Sequence, residues 1–347
     1  MLESIGRDDA MSRKIKWGIL STAEIGTSKV IPAMQKGLFS EVVAIASRDQ
    51  STAQQSAQEL GIPKAYGSYE SLLKDQDIDA VYNPLPNHLH VPWSIRAAYE
   101  GKHVLCEKPI SLTVKEARQL IQVRDQTGVK IQEAFMVRTH PQWLRVRDLV
   151  RDGTIGDLVA IQYVFSYCNL DPNNIRNRSD LAGSGVTMDI GCYPITTSRF
   201  LFEEEPLRVM ALIDWDPQMR IDRLASCILD FSSGQASFLC CTQMVPYQRV
   251  QIFGTKARLE IEIPFNAPND CSCRIFLDEG DILGKKIITE QFEPCDQYTI
   301  QGDLFSKAIL AGSATPIPLE DSLANMQVVE ALFRSAKTGY WEVPQSI

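Results

Sequence analysis

A lysine stands where a short apolar strand is predicted to end. Residues 101–106 form this predicted strand. The charged pair Glu107-Lys108 follows it directly, and Pro109 comes next. A residue that precedes proline favours an extended backbone. Ligands of open α/β sheets bind where parallel strands end. The string therefore predicts a functional cation at a ligand crevice. The alternative is a surface ion pair at the end of a strand.

A turn of small residues follows the first apolar strand, 15–20. Ser21, Ala23 and Gly26 occupy the frame of the dinucleotide fingerprint G-x-G-x-x-G/A as S-x-A-x-x-G. Small residues let the backbone turn tightly and approach a pyrophosphate at the start of the next helix. The spacing favours a dinucleotide site, and a plain strand-to-helix turn fits the same residues.

The end of the second strand carries Ser47 and Arg48. An acidic residue about 20 positions beyond the fingerprint would bind a ribose 2′-hydroxyl. An arginine beside a hydroxyl suits a 2′-phosphate instead, because guanidinium binds phosphate through two hydrogen bonds. The pair favours NADP over NAD as the cofactor. Alternatively, Arg48 is a solvated loop residue that pairs with Asp49.

A proline-rich loop, 83–90, follows another predicted strand. Its two prolines stiffen a connection at the carboxyl edge of the sheet. His88 and His90 lack a third ligand, so we predict no metal site here. We expect His90 to have an orienting role beside the cofactor, or none.

The elements that position these residues change in type near the middle of the chain. In the first 135 residues, apolar strands alternate with helical patterns, the strands falling at 15–20, 41–46, 79–83, 104–106 and 130–134. Such alternation predicts right-handed βαβ units and a parallel sheet. Beyond about residue 155, alternating segments predict an open antiparallel sheet at 158–167, 227–231, 236–240 and 257–263. Helices are predicted at 141–152, 190–202, 297–311 and 319–337.

Bulk properties narrow the class of protein. The 347 residues are enough for about two domains, and the net charge of −8 gives no attraction to nucleic acid or anionic lipid. No apolar run reaches the roughly 18 residues of a membrane span, and the polar residues 1–16 predict no signal peptide. Nine scattered cysteines without a CxxC pair indicate core thiols in a reducing compartment, so we expect a cytoplasmic protein.

Taken in this order, the motifs resemble those of the glucose–fructose oxidoreductase/inositol dehydrogenase family. The resemblance also rests on the segments 135–141 (FMVRTHP) and 182–193 (AGSGVTMDIGCY), and on the turn 254–256. Within the family, the Ser-Thr-Ala turn and Ser47-Arg48 are most similar to the NADP branch of dihydrodiol dehydrogenases, D-xylose dehydrogenases and anhydrofructose reductases. The resemblance implies an α/β protein, with an N-terminal Rossmann domain followed by an α/β domain whose open sheet is mainly antiparallel.

The predicted boundaries are a loose arm at 1–13, an NADP-binding domain at 14–136 and a substrate and oligomerisation domain at 137–347. We expect the last helix to pack back on the first domain. The partners implied are a small hydroxylated substrate and further copies of the chain, as a homodimer or homotetramer. The aliphatic row after Gly254 would need to be covered by such a copy.

The resemblance also implies roles for individual residues. Lys108, Asp189 and Tyr193 would be catalytic, and together with Arg176 they would bind the substrate. The implied cofactor contacts are Ser21, Thr22, Ala23, Ile25, Ser47, Arg48, Leu85, Asn87, His90, Glu107, Lys108 and Arg138. No metal is implied.

Two departures from the family pattern affect the site. Gly183-Ser184-Gly185 stands where the family usually has three glycines, and Pro194 follows Tyr193. A proline inside a helix removes a hydrogen bond, so the helix is expected either to begin near Ile190 or to bend.

The implied chemistry is hydride transfer between NADP and a secondary alcohol or carbonyl of a sugar, polyol or diol. A tyrosine is a poor base at neutral pH unless a nearby cation favours the phenolate. The hypothesis is that Tyr193 exchanges the proton, Lys108 favours its phenolate and polarises the substrate oxygen, and Asp189 binds a neighbouring hydroxyl or orients the lysine. The alternatives are a nicotinamide-dependent glycosidase and a non-catalytic regulator that senses the cofactor.

Overall fold

The computed structural model describes residues 13–281 and 283–344. The predicted N-terminal arm, 1–13, lies outside this part of the chain except for Arg13. The described chain divides into two compact units. The first comprises residues up to 111, 115–136 and 296–322, and the second comprises 112–114, 137–295 and 323 onward.

The first unit contains a six-stranded parallel sheet with the order β3-β2-β1-β4-β5-β6. Its strands are β1 (Ile15–Leu20), β2 (Ser40–Ala46), β3 (Lys64–Tyr66), β4 (Ala80–Asn83), β5 (His103–Cys106) and β6 (Ile131–Glu133). Nearly every residue of β1, β4 and β5 is buried, as expected for strands covered on both faces. The strand β3 was not predicted, because three residues are too short for a periodic pattern to show.

Helices connect the parallel strands. They are α1 (Ile31–Gln35), α2 (Gln50–Leu60), α3 (Tyr69–Leu73), α4 (His90–Tyr99) and α5 (Val114–Thr127). A π-helical turn, Gly26–Val30, precedes α1, and a 3₁₀ turn, Asn87–Leu89, precedes α4. Side-chain caps fix two of the helix starts, because Asp49 accepts from the Thr52 N–H and Ser68 accepts from the Ser71 N–H.

The second unit contains an eight-stranded sheet with the order β14-β13-β12-β11-β7-β10-β9-β8. Its strands are β7 (Leu158–Cys168), β8 (Arg208–Trp215), β9 (Asp222–Asp230), β10 (Gln235–Cys241), β11 (Gln243–Gly254), β12 (Arg258–Ile261), β13 (Cys273–Asp278) and β14 (Ile287–Phe292). All neighbours are antiparallel except β7 and β10, which are parallel. The predicted fold class is confirmed.

The remaining helices are α6 (Pro141–Arg151), α7 (Cys192–Phe202), α8 (Gln297–Leu310) and α9 (Leu319–Thr338). A second π-helical turn, Thr187–Gly191, leads directly into α7.

The segment Asp296–Ser322 groups with the first unit, whereas the predicted second domain, 137–347, contained it. The Asp303 carboxylate accepts from the N–H groups of Leu38 and Phe39, and the Phe305 ring lies 5.7 Å from that of Trp17. Because these contacts join α8 to the start of the first sheet, the helix extends the first core. Only the first turn of α9 belongs to this unit.

The aliphatic row after Gly254 is covered inside the second unit. Leu259 and Ile261 are fully buried. The helix α6 lies over the following segment, where the Gln142 amide donates to the Ile263 carbonyl and the Trp143 indole donates to the Pro264 carbonyl. This row therefore requires no second copy of the chain to cover it, and that part of the oligomerisation argument was wrong.

Candidate active site

Four predicted motifs follow four neighbouring strands of the first sheet. The register pairs Leu20 with Ala46 and Asn83 with Cys106, so β2, β1, β4 and β5 end at the same edge. Neighbouring strands lie about 4.8 Å apart. The Ser21 turn, Ser47-Arg48, the loop 84–89 and Glu107-Lys108 therefore form one row at the carboxyl edge of the sheet.

In the turn after β1, the residue at the first glycine position of the fingerprint has a backbone conformation that favours glycine. Ser21 has φ of +140°, a value that residues with a Cβ rarely adopt. Its hydroxyl accepts a hydrogen bond from the Ala23 N–H at 2.9 Å, which tightens the turn. Thr22 and Ile25 beside it are partly exposed, and Gly26 is buried. The S-x-A-x-x-G string thus forms the tight turn that a pyrophosphate site needs.

Arg48 is exposed at the end of β2, next to the partly buried Ser47. Burial raises the pKa of the Tyr69 hydroxyl, and the charge of the Arg48 guanidinium opposes that rise. The Asp49 carboxylate is directed to the start of α2, where it accepts from Ser51 and Thr52; these bonds lower its pKa to about 2. The guanidinium therefore lies near Tyr69 at the edge where the fold would hold a ribose 2′-phosphate.

The loop after β4 is tied down from both sides. The buried Asn83 amide donates to the His90 carbonyl at 3.0 Å and accepts from the Leu85 N–H. One ring nitrogen of His90 lies 2.6 Å from the Leu85 carbonyl, and the other lies 2.8 Å from the Pro109 carbonyl. Burial lowers the pKa of His90 to about 4. The neutral ring of His90 thus lies between the two carbonyls and donates to one of them, which links this loop to the segment that carries Lys108. Asn87 lies on the loop so held.

Glu107 and Lys108 are partly buried, and the peptide bond between Lys108 and Pro109 is cis. The Tyr82 hydroxyl donates to a Glu107 oxygen at 2.7 Å, and the Lys108 N–H donates to the other at 3.3 Å. Burial and the Glu107 charge raise the pKa of Tyr298 on α8, and the Lys108 charge opposes them. Sequence reasoning missed Tyr82 and Tyr298, which come from elements distant in the chain.

The second unit brings three other polar side chains together. The Asp189 carboxylate accepts from the Tyr167 hydroxyl at 2.5 Å through Oδ2, and from Arg176 Nε at 3.0 Å through Oδ1. The charge of Asp189 raises the pKa of Arg176. Two of these three residues, Arg176 and Asp189, were predicted as substrate residues. The third, Tyr167, was missed, and its only signal is its position next to the last residue of β7.

The π-helical turn Thr187–Gly191 lies directly before the helix that carries Pro194. A π-helical turn spaces its hydrogen bonds one residue further apart than an α-helix does. The turn ends just before α7, and Pro194 is the third residue of that helix. The helical backbone thus begins at Thr187, before the expected start near Ile190, and runs without a break into α7.

Tyr193 is 5 % exposed and packs in an aromatic cluster of the second unit. Its ring centroid lies 5.9 Å from that of Phe165 and 5.3 Å from that of Phe265. Along the chain, Tyr193 lies four residues after Asp189, on the helical backbone that continues from the π-helical turn into α7. The second unit brings Asp189 and Arg176 into direct contact, and the roles that the resemblance implies for them and for Tyr193 stay predictions.

Arg138 is engaged with a helix of the second unit. Its guanidinium donates to the Thr196 hydroxyl at 2.9 Å and lies 4.5 Å from the centroid of the Phe200 ring. Both partners are on α7. The observed contacts of Arg138 therefore stabilise the helix that carries Tyr193.

The described residues offer neither a metal site nor a membrane span. Among residues 13–281 and 283–344, no group of three or more His, Cys, Asp or Glu side chains is placed to hold a metal ion. Within the same part of the chain, no helix combines the length and the hydropathy needed to cross a membrane.

Comparison with known proteins matches both units. Residues 15–135 match the model of the oxidoreductase family with an NAD-binding Rossmann fold, and residues 143–260 match the GFO/IDH/MocA C-terminal domain. An uncharacterized oxidoreductase of Rhizobium meliloti is 49 % identical over 330 residues, covering 94 % of this chain and 98 % of its own. A D-xylose 1-dehydrogenase (NADP⁺) of Haloferax volcanii is 39 % identical, with 93 % and 98 % covered.

A solved structure agrees with both sequence relatives. The 3-ketoreductase of Actinomadura kijaniata, in complex with NADP and TDP-benzene, superimposes with a TM-score of 0.86 at 27 % identity, covering 93 % of this chain and 98 % of that one. The predicted resemblance is confirmed: the chain belongs to the GFO/IDH/MocA family of oxidoreductases.

Proposed function

We propose that the chain is an NADP-dependent oxidoreductase that moves a hydride between nicotinamide and a secondary alcohol or carbonyl of a sugar, polyol or diol. The observation that carries this proposal is the row of four motifs at one sheet edge, with Ser21 in a glycine conformation. The NADP named for the Haloferax and Actinomadura relatives supports the cofactor.

The residues of the first unit fit a dinucleotide phosphate. The small side chains of the Ser21–Ala23 turn would let a pyrophosphate approach the backbone, and Arg48 with Ser47 would bind a 2′-phosphate. Leu85, Asn87 and His90 belong to the braced loop beside them. When bound, NADP accepts the hydride from the substrate carbon, or its reduced form supplies it.

The proton of the substrate hydroxyl must be handled by the protein. We propose that Tyr193 takes this proton in the oxidative direction and returns it in the reductive one. Lys108 would favour the phenolate and polarise the substrate oxygen, because an ammonium stabilises negative charge on a nearby oxygen. Glu107, held by Tyr82, would keep the lysine backbone in place.

Asp189 would orient the substrate. Arg176 and Tyr167 each hold one of its oxygens, which fixes the carboxylate and favours its ionised form. A carboxylate accepts more than two hydrogen bonds, so a substrate hydroxyl can be a further donor. In this proposal Arg176 acts on the substrate chiefly through Asp189.

The test is a panel of aldoses, polyols and diols with NADP or NAD, followed by absorbance of the reduced nicotinamide. Lys108→Ala and Tyr193→Phe should each lower kcat by about 10²–10⁴-fold while NADP binding persists in a fluorescence titration. Lys115→Ala and Tyr247→Phe, which change exposed side chains, are the matched controls.

Each outcome of the panel has a definite meaning. Near-normal turnover in Lys108→Ala or Tyr193→Phe contradicts the assigned roles. Glycoside cleavage without net NADPH formation would favour the glycosidase alternative. NADP binding with no turnover of any compound would favour the regulator.

We also propose that the chain self-associates, as a homodimer or homotetramer, through the outer face of β8 and β9. Leu212 is 76 % exposed and Ile228 39 % exposed, and the strand register places them on the same face. Apolar side chains grouped in this way are typical of interfaces. Leu212→Glu should lower the mass measured by sedimentation, and an unchanged mass would contradict this surface.

A further inference from the structure

We propose that Asp222 is a positioning residue that anchors the turn carrying Asp189. This inference rests on the proposed function, because it names the residue that holds Asp189, the proposed substrate-orienting carboxylate, in place. Asp222 begins β9, 33 positions after Asp189 in the chain. Only 2 % of it is exposed, so its carboxylate meets protein groups on all sides.

One oxygen of Asp222 binds the start of the π-helical turn. Its Oδ2 accepts a hydrogen bond from the Thr187 N–H at 2.7 Å. The first N–H groups of a helical segment lack partners within the segment and carry partial positive charge. The carboxylate therefore satisfies a backbone donor two residues before Asp189.

The other oxygen of Asp222 packs against Gly185. A Cβ placed on Gly185 would lie 1.7 Å from Asp222 Oδ1, and Gly185 has φ of +96°. Both facts require glycine at this position, the last of the Gly183-Ser184-Gly185 string. The carboxylate and the glycine backbone thus fit closely together, and this explains the glycine at 185.

Gly185 in turn connects the two members of the Asp189 ion pair. Its N–H donates to the Arg176 carbonyl at 3.0 Å, and its carbonyl accepts from the Asp189 N–H at 3.1 Å. The Arg176 side chain closes the ring by donating to Asp189 Oδ1. Displacing Asp222 would therefore release Thr187 and Gly185, and through them the backbone of Asp189 and Arg176.

The hairpin that carries Asp222 is itself well braced. Asp216 Oδ1 accepts from the N–H groups of Gln218 and Met219, and its Oδ2 accepts from the Gln243 amide. The Asp216 N–H donates to the Ile221 carbonyl. These hydrogen bonds hold the hairpin next to Asp222 in place, which a positioning residue requires.

The first measurement is amide hydrogen exchange over residues 183–193 in the full chain. Asp222→Ala should expose these amides, Asp222→Asn should have a smaller effect because its side-chain oxygen can still accept from Thr187, and Asp214→Asn should have none. Asp214 lies in the same hairpin, but its carboxylate pairs with Arg223 at the surface. Unchanged exchange in Asp222→Ala would overturn the inference. If that variant fails to fold, unchanged exchange in Asp222→Asn has the same meaning.

The second measurement is kinetic. Asp222→Ala should lower kcat/KM at least tenfold with NADP affinity within about twofold of the wild type, and Asp222→Asn should recover most of this loss. Equal losses in both variants, or a kcat/KM within twofold of the wild type in Asp222→Ala, would contradict a positioning role. Should the wild type turn over none of the panel, the proposed function falls, and the exchange data still decide where Asp222 acts.

Discussion

The Tyr167 hydroxyl donates to Asp189 Oδ2 at 2.5 Å, while Arg176 holds the other oxygen of the same carboxylate. The three residues come from the end of β7, the 3₁₀ turn Ile175–Asn177 and the π-helical turn Thr187–Gly191, so the carboxylate is fixed from two directions. This arrangement makes Asp189 a preorganised group whose orientation does not depend on the substrate.

The first prediction concerns that hydrogen bond. Tyr167→Phe should lower kcat/KM about tenfold, because a hydrogen bond to a charged group contributes about 1.5–3 kcal/mol and part of it fixes the orientation of Asp189. NADP affinity should stay unchanged, since the cofactor motifs lie in the first unit. Steady-state kinetics with the best substrate measures the effect, and Tyr247→Phe is the control. A kcat/KM equal to that of the wild type would show that Arg176 alone orients the carboxylate.

The second prediction concerns cofactor choice. Arg48→Ala should weaken NADP binding about tenfold to hundredfold, the loss expected for a charge-assisted bond to phosphate, while NAD binding stays nearly constant. Dissociation constants from nicotinamide fluorescence measure both. Arg13→Ala, at the amino end of β1, is a control for the loss of positive charge. Equal weakening for NADP and NAD would mean that Arg48 does not read the 2′-phosphate.

The third prediction uses the backbone of the fingerprint turn. Ser21→Gly and Ser21→Ala both remove the hydroxyl that accepts from the Ala23 N–H, but only glycine relieves the positive φ. A non-glycine residue in such a region costs about 1–3 kcal/mol. The glycine variant should therefore have the higher free energy of unfolding of the two, by at least about 1 kcal/mol in urea. Equal values would show that the backbone relaxes when the side chain changes.

The alternation of strands and helices in the first unit was predictable from the sequence, apart from the short β3 and α3, because each period is local. In the second unit, β8, β11, β13 and β14 were not predicted. The fingerprint turn, Ser47-Arg48 and Glu107-Lys108 were found because each follows a predicted strand, and a parallel sheet brings such ends to one edge. The φ of Ser21 was not predictable, since serine has no preference for that conformation. Only the structure shows that Ser21 takes a backbone conformation typical of glycine.

The second unit was harder to predict for two reasons. The partners of Asp189 lie 13 and 22 positions away along an irregular path, and no spacing rule links such residues. Asp222 begins β9, but the strand was predicted only at 227–231, so the pattern did not place Asp222 on a strand. The row Ala257, Leu259, Ile261 was assigned correctly as one face of a strand, but its covering helix α6 lies about 110 residues earlier in the chain.

The last prediction follows from the burial of Asp222. Burial, with a smaller contribution from the Asp189 charge, raises the pKa of the Asp222 carboxyl from 3.8 to about 6. Its folded state therefore binds a proton more tightly than the unfolded chain does. The stabilisation from this proton is fully present below about pH 4 and is lost as the pH rises through about 6.

Asp222→Asn cannot titrate, so the difference in free energy of unfolding between wild type and variant should change over the same interval. Relative to the variant, the free energy of unfolding of the wild type should fall by up to about 3 kcal/mol between pH 4 and pH 7 and stay constant above pH 7. Urea unfolding at a series of pH values measures it, with Asp214→Asn as the control for loss of an exposed carboxylate.

Besides Asp189, the buried Cys227 thiol faces Asp222, and it would shift the titration only at alkaline pH because burial and the Asp222 charge raise its pKa. A difference that stays flat from pH 4 to pH 7 would mean that Asp222 titrates as an ordinary exposed carboxylate does, and its packing against Gly185 would then have to be looser than the structure shows.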